Sequence, residues 1–250
     1  MINRGMSVVP QHNWESFHYQ TDRGLVFSTF HTDADKIERD RYPHCARVIL
    51  PIKNPNENGG PHREEAEVLW ALEDKLEEIL NEHDADCLMV GRLTHSGMRE
   101  LVFQVGDWKR FRPVVGLWLR ELDGYEETDI SEHEGWDFFF ESVWPTPENW
   151  QWITDQRVVR ASINSGSDPE KPHVLEYCFR GPEHSLRALA DILSSRGYHL
   201  MELSAGEERL MMSKTVPLDM RLIGPESVFL MKEAERLGAD YDGWGTFCVK

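Results

Sequence analysis

The chain has 250 residues, 40% of them hydrophobic and 28% charged, and its formal net charge is −17 at pH 7. This composition is typical of a globular protein with one or two domains, and it excludes a disordered chain. A surface this acidic repels the phosphate backbone, so we expect no direct binding of nucleic acid.

The pattern of apolar residues and cysteines excludes further classes. No apolar run approaches the ~20 residues that a membrane span needs, so we expect no membrane segment. The start of the chain lacks the apolar core of a secretory signal. The cysteines at 45, 87, 178 and 248 are too far apart in the sequence for a zinc knuckle or a redox pair. We therefore expect a cytoplasmic protein with free thiols and no cofactor.

In the first half, the hydrophobic pattern predicts the order strand, helix, two strands, helix, strand. The predicted strands are 46–52, 86–93, 99–105 and 135–144, and the predicted helices begin at Pro61 and Trp108. The last of these strands is predicted from the aromatic stretch GWDFFFESVW. Alternation in this stretch predicts one apolar face, formed by Trp136, Phe138, Phe140 and Trp144.

The second half repeats this order after an additional leading helix. Thr146 is the predicted N-cap of the leading helix, and Pro147 is its first residue. The predicted strands are 173–179, 198–205, 209–218 and 241–249, and the later helices follow Pro182 and span 225–237.

Glycine positions recur in the same order in both halves, which indicates two copies of one βαββαβ unit. The corresponding positions are Gly60-Pro61 and Gly181-Pro182, Gly106 and Gly224, and Gly135-Trp136 and Gly243-Trp244. The sequence therefore predicts an α+β fold made of two ferredoxin-like βαββαβ α/β sandwiches in tandem. The extended segment WPTPENW places the boundary between domains 1–146 and 147–250.

The negative charge is concentrated in the first predicted domain. Residues 1–146 contain 28 Asp and Glu against 15 Lys and Arg, whereas residues 147–250 contain 16 against 12. Residues 121–156 contain eleven acidic residues and no Lys or Arg. Such a surface attracts a basic protein partner and speeds the encounter with it. The candidate partner-binding residues in this segment are Glu126, Glu127, Asp129 and Glu132. The alternative is a solvated acidic loop that serves solubility.

No residue set in the sequence predicts catalysis or metal binding. His133, Glu134 and Asp137 are all possible metal ligands, but on a strand His133 and Asp137 share a face that Glu134 opposes. The sequence has no second histidine cluster to complete such a site, so a solvated edge is favoured. There is also no G-x-S-x-G elbow and no phosphate-binding loop.

The chain ends in YDGWGTFCVK, an aromatic tail that reads as the last strand of a sheet. Strict alternation places Tyr241, Phe247 and Val249 against the helices, with Trp244 beside Asp242 on the opposite face. On that face Trp244 either packs against the other sandwich or binds a partner together with Asp242. A bulge at the neighbouring glycines would change this register.

Several of these stretches carry a resemblance to a known family. Residues 147–250 resemble the bacterial regulator of ribonuclease E activity B in WQWITDQRVV, GSDPEKPHVLEYCF, RGYHL and the closing YDGW. The first half is similar to an uncharacterised bacterial domain of unknown function. The resemblance implies a ferredoxin-like sandwich that acts as a non-enzymatic inhibitor. It also implies binding to the arginine-rich scaffolding region of ribonuclease E.

These observations support hypotheses from different classes. The leading hypothesis is a non-enzymatic cytoplasmic regulator that binds a basic protein segment and inhibits ribonuclease E-type RNA degradation. The alternative is a hydrolase or small-ligand-binding protein with a site in the interdomain cleft, where ligand sites commonly lie. A third hypothesis assigns the first domain only a solubilising or dimerising role.

Overall fold

The computed structural model describes residues 13–204 and 206–250. The chain divides into two compact units, Met1–Pro145 and Thr146–Lys250, which we call unit 1 and unit 2. Residues 1–12, where a secretory signal would lie, and Ala205, predicted to end a strand, fall outside the described residues. Within the described ranges, no helix has both the length and the apolar character needed to cross a bilayer.

Unit 1 is built on one antiparallel sheet with two helices on one face. Its elements are β1 (Trp14–Thr21), β2 (Gly24–His31), β3 (His44–Pro51), α1 (Arg63–Glu82), β4 (Cys87–His95), β5 (Met98–Val105), α2 (Trp108–Leu119) and β6 (Asp129–Glu134). The described strands lie in the order β1-β2-β4-β5-β3-β6. The elements from β3 to β6 have the predicted ferredoxin-like topology. The hairpin β1–β2, which the sequence analysis did not predict, extends the sheet beyond β4.

The main core of unit 1 lies between the sheet and these two helices. Leu69, Leu76 and Leu80 lie in the buried stripe of α1, at the spacing of an amphipathic helix. The carboxylate of Glu73 on the same helix accepts hydrogen bonds from Arg92 at 2.6 Å and from Arg99 at 2.9 Å. These two bonds compensate the buried charge of Glu73 and fix the helix on the sheet.

The aromatic segment that was predicted as the closing strand is helical, and this prediction is wrong. Phe139–Val143 forms a π-helical turn, and β6 closes the sheet instead. The hydroxyl of Ser28 donates to the Val143 carbonyl at 2.8 Å, which fixes the turn on the sheet face opposite the helices. Trp136, Phe139 and Val143 are buried there. Their spacing of three and four residues fits a helix, so the aromatic content misled the strand prediction.

Gly91 on β4 tests this packing, because its backbone touches the π-helical turn. A methyl group at Gly91 would collide with the Val143 side chain. We expect Gly91→Ala to lower the free energy of unfolding by about 1–3 kcal/mol, as overpacking does. In a double-mutant cycle measured by urea unfolding, Val143→Ala should reduce the cost of Gly91→Ala by about 1 kcal/mol.

Gly116 in α2 provides the matched control for this prediction. A methyl group there meets no atom within 4 Å, so Gly116→Ala should stabilise the helix by up to about 1 kcal/mol. Strict additivity of Gly91→Ala and Val143→Ala would contradict the described contact between the turn and the sheet.

Unit 2 has the same topology after a leading helix. Its elements are α3 (Pro147–Asn164), β7 (His173–Arg180), α4 (Glu183–Ser195), β8 (His199–Ser204), β9 (Arg209–Val216), α5 (Met220–Arg236) and β10 (Asp240–Thr246). The described strands lie in the ferredoxin-like order β10-β7-β9-β8. The α+β class with two such sandwiches is confirmed. Helix α5 begins at Met220 rather than at Pro225, because the Asp219 side chain caps it by accepting from the amide of Arg221 at 2.9 Å.

The last strand contains a bulge that decides which aromatic residues are buried. Tyr241 pairs with Phe179 and Trp244 pairs with Tyr177, and the register shifts between the two pairs. Gly243 lies at the shift with φ of 87°, a left-handed conformation that favours glycine. Both Tyr241 and Trp244 therefore point toward the helices, although strict alternation would separate them.

The bulge corrects the predicted faces of the C-terminal tail. Trp244 is 9% exposed and lies in the core of unit 2, so its predicted place on the face opposite the helices is wrong. Phe247 lies beyond the end of β10 and is 72% exposed, so its predicted core position is also wrong.

The two aromatic residues should consequently differ in their effect on stability. Trp244→Ala should lower the free energy of unfolding by about 3 kcal/mol or more, as other large-to-small core changes do. Phe247→Ala should change it by less than about 0.5 kcal/mol, because its ring is in water. Urea unfolding followed by circular dichroism measures both, and the reverse ranking would contradict the bulged register.

Candidate functional site

An exposed row of carboxylates runs along the last strand of unit 1 and the turn before it. We call this row the acidic edge, and its residues are Glu126, Glu127, Asp129, Glu132 and Glu134, all of them exposed. Among the described strands, β6 is the outermost one at its end of the sheet, because it pairs only with β3. The acidic edge is therefore open to solvent.

The residues of β6 alternate between the two faces of the sheet. Ile130 packs against the core under α1 and α2, so Glu132 and Glu134 point to the helix face. Asp129 and His133 point to the opposite face. The structure thus gathers the predicted acidic residues on one edge, but it separates Asp129 from Glu132 by face.

A buried tyrosine fixes the turn that carries Glu126 and Glu127. The Tyr125 hydroxyl donates to Glu65 Oε1 at 3.3 Å, and Lys53 Nζ lies 4.2 Å from the centre of its ring. Hydrogen bonds from the backbone amides of Glu126 and Gly124 hold the pKa of the Glu126 carboxyl below its usual range. Glu126 therefore carries its charge throughout the neutral pH range.

Most carboxylates of the acidic edge differ from the buried Glu73 and Glu100, which arginine side chains hold, in having no Lys or Arg ion-pair partner among the described residues. Within the described residues, no Lys or Arg forms an ion pair with Glu126, Glu127, Asp129 or Glu132. Lys53 lies near Glu126 and offsets part of its charge, but no described Lys or Arg is paired with the acidic edge, so it can attract a basic partner over a distance.

A second ionisable group, on the sheet face opposite the helices, is paired internally. Glu100 is 2% exposed, and its carboxylate accepts hydrogen bonds from Arg47 Nε at 2.8 Å and lies 3.0 Å from His95 Nε2. Burial by itself raises the pKa of Glu100, but the hydrogen bonds from His95 and Arg47 outweigh it and hold the pKa below the usual value. Arg47 also stacks on Phe138 and lies 3.2 Å from His133 Nε2. This cluster therefore joins the strands to the aromatic segment.

In unit 2, a buried carboxylate links the leading helix to the last strand. Asp155 of α3 has no exposed surface, and its Oδ1 accepts from Trp244 Nε1 at 2.8 Å and from Gln151 Nε2 at 2.9 Å. The hydroxyl groups of Ser227 and Tyr241 are buried beside it. Burial raises the pKa of Asp155 to about 6, against the opposing effect of its hydrogen bonds.

Asp242, the other predicted partner-binding residue of the tail, lies on the helix-free face of the sheet. Its Oδ2 accepts from Arg180 Nε at 2.9 Å. It borders a shallow concavity of about 230 Å³ that includes Cys178 and the backbone of Gly243 and Gly245. Asp242 is accessible there, whereas the Trp244 side chain is almost wholly buried. Partner binding by these two residues stays a prediction, which the burial of Trp244 disfavours.

The pKa of Asp155 makes the stability of unit 2 depend on pH. The folded chain holds this proton up to about pH 6, whereas the usual pKa of 3.8 applies when unfolded. The resulting stabilisation is fully present at pH values below the pKa of Asp155 in the unfolded chain. It is lost as the pH rises through the pKa of Asp155 in the folded chain. It amounts to roughly 2–3 kcal/mol. Asp155→Asn cannot titrate, so this contribution should be absent from its unfolding profile.

Urea unfolding of both proteins from pH 4 to pH 7 measures this contribution as the difference between the two profiles. All other carboxylates are the same in both proteins, so their contributions to the free energy of unfolding cancel in that difference. Parallel profiles of wild type and Asp155→Asn would contradict a raised Asp155 pKa.

Both units match family models. Residues 152–246 match the model described as Regulator of ribonuclease activity B. Residues 12–143 match the model described as Family of unknown function (DUF695). The boundary between the two matches falls near the division between unit 1 and unit 2.

Two curated relatives match the second unit in sequence. A protein of Pseudoalteromonas atlantica named Regulator of ribonuclease activity B is 30% identical over 121 residues, which are 42% of this chain and 97% of that protein. A protein of the same name from Shewanella denitrificans is 27% identical over 107 residues, which are 40% of this chain and 83% of that protein.

The solved structures that match include the Crystal Structure of an Unknown Protein from Galdieria sulphuraria. It is 14% identical, and the match covers 82% of this chain and 98% of that one with a TM-score of 0.21. This score is too low to support a structural argument.

Proposed function

The chain belongs to the family Regulator of ribonuclease activity B through residues 152–246 and to a family of unknown function through residues 12–143, and from this premise we propose that it is a non-enzymatic regulator that binds a ribonuclease. The observation that carries the proposal is the extent of the match to unit 2. That match covers 97% of the Pseudoalteromonas relative, so nearly the whole of a protein with this name corresponds to one unit of the chain.

The proposed mode of action is occupation of the ribonuclease rather than chemistry on RNA. A chain with a net charge of −17 repels RNA, and its carboxylates are suited to a basic protein segment. The resemblance noted in the sequence implies that this segment is the arginine-rich scaffolding region of ribonuclease E. Such a role places the protein in the cytoplasm.

We assign the two units different parts in this function. Unit 2 carries the family fold and makes the specific contact with the ribonuclease. The acidic edge of unit 1 steers the basic segment and orients it, because its carboxylates are exposed and have no Lys or Arg ion-pair partner in the described chain. Charges of this kind affect the association rate more than the final affinity. The solvated-loop alternative predicts no such effect.

The steering role can be tested by removing charge from the acidic edge. The test protein carries four substitutions: Glu126→Gln, Glu127→Gln, Asp129→Asn and Glu132→Gln. Its association rate with purified ribonuclease E that retains the scaffolding region should fall about tenfold at low salt, with little change in dissociation. The difference should shrink as salt rises, because exposed charges are screened over ~8–10 Å at physiological ionic strength.

The control protein loses the same charge from another exposed surface of unit 1. Its substitutions are Glu64→Gln, Glu67→Gln, Asp74→Asn and Glu78→Gln, all on the solvent side of α1. Equal slowing of both proteins would indicate an effect of net charge only. Binding without any slowing of the test protein would contradict the role of the acidic edge, and no binding by wild type would contradict the proposed function itself.

A further inference from the structure

The pairing of β6 with β3 brings together a set of ligand atoms that the sequence did not single out. The set considered from sequence was His133, Glu134 and Asp137, but His133 lies on the opposite face of β6 from Glu134. In the structure, Glu134 is instead the direct cross-strand partner of His44, and Glu132 is the partner of Ala46. These pairings place His44, Glu132 and Glu134 on one face.

We propose that His44, Glu132 and Glu134 form a binding site for a first-row divalent cation such as Zn²⁺. One ring nitrogen of His44 and one carboxylate oxygen from each of Glu132 and Glu134 lie within 4.8 Å of one another. Among the described residues, these three form the group of His, Cys, Asp or Glu side chains whose ligand atoms converge in this way. An imidazole with two carboxylates is a ligand set that zinc accepts, with a further position left for water.

The distance between two of these donors fits shared coordination better than a hydrogen bond. His44 Nδ1 lies 3.3 Å from Glu134 Oε2, yet this nitrogen is buried and makes no hydrogen bond in the described chain. When two donor atoms bind zinc tetrahedrally at about 2.0–2.2 Å, the distance between these two atoms is roughly 3.3–3.5 Å. The cation would give the buried nitrogen a coordination bond in place of the hydrogen bond that it does not make.

The local charge also favours a cation. Glu132 and Glu134 are two residues apart on the same face of an edge strand, so their carboxylates repel each other. No Lys or Arg of the described residues pairs with either one. This lack distinguishes them from Glu73 and Glu100, whose carboxylates are each held by arginine. A divalent cation between Glu132 and Glu134 would remove the repulsion.

The backbone holds the three residues in place without a cation. The β3–β6 ladder runs from Ile49↔Asp129 to His44↔Glu134, and just beyond it the amide of Gly135 donates to the Pro43 carbonyl at 2.8 Å. The strand positions are thus fixed by main-chain bonds, so the side chains are the parts that would move to bring the donor atoms, which lie within 4.8 Å of one another, to coordination distance. The proposal does not depend on the ribonuclease-binding role.

Isothermal titration of the full chain with Zn²⁺ tests the site. Wild type should bind one equivalent of Zn²⁺. The variants His44→Ala and Glu134→Gln should each bind Zn²⁺ at least tenfold more weakly, since each loses one ligand. Glu126→Gln removes the same charge from the same edge and should bind as wild type does. Mg²⁺ and Ca²⁺ should bind more weakly than Zn²⁺, because they prefer oxygen ligands only.

A spectrum with Co²⁺ keeps the proposal testable even if a variant folds poorly. Co²⁺ at this site should give the visible bands of nitrogen and oxygen ligation, which Zn²⁺ should displace. A thiolate-to-cobalt charge-transfer band would place the metal at a cysteine and overturn the proposal. Equal Zn²⁺ binding by wild type and both site variants, or no binding by wild type, would overturn it as well.

Discussion

The hydrogen bond from the Trp244 indole to the Asp155 carboxylate is the interaction on which the architecture of unit 2 depends. It joins the leading helix α3 to the terminal strand β10 across 89 positions of the chain, at a site with almost no solvent. An uncompensated carboxylate in such a place is costly, so the donors of Trp244 and Gln151 stabilise it. The same burial that makes the bond strong raises the pKa of Asp155 to about 6.

This constraint explains the tail motif YDGW in structural terms. Gly243 supplies the left-handed backbone of the bulge, and the bulge brings Tyr241 and Trp244 to the same side of the strand. Asp242 remains on the other side, where Arg180 binds it. The motif that carries much of the family resemblance thus maintains the fold, and it keeps the Trp244 side chain in the core of unit 2.

Much of this fold follows from the sequence, since the βαββαβ order of both units depends on helical and strand periodicity. The errors arise where periodicity is ambiguous. Residues 135–144 fit a strand and a helical turn equally well, and the polar β6 gives no apolar signal because only Ile130 packs inward. The acidic edge was recognisable from charge, but its two faces and the position of His44 opposite Glu134 depend on cross-strand register, which the sequence does not specify.

The central claim is that the chain regulates a ribonuclease by binding it. The most direct measurement is the rate at which purified ribonuclease E, with its scaffolding region, cleaves a defined RNA as the full chain is titrated in. The account predicts that the rate falls to a plateau, with half of the effect at the Kd of the complex, and that the chain by itself leaves the RNA intact. An unchanged rate at saturating concentrations, or RNA cleavage by the chain without ribonuclease, would contradict it.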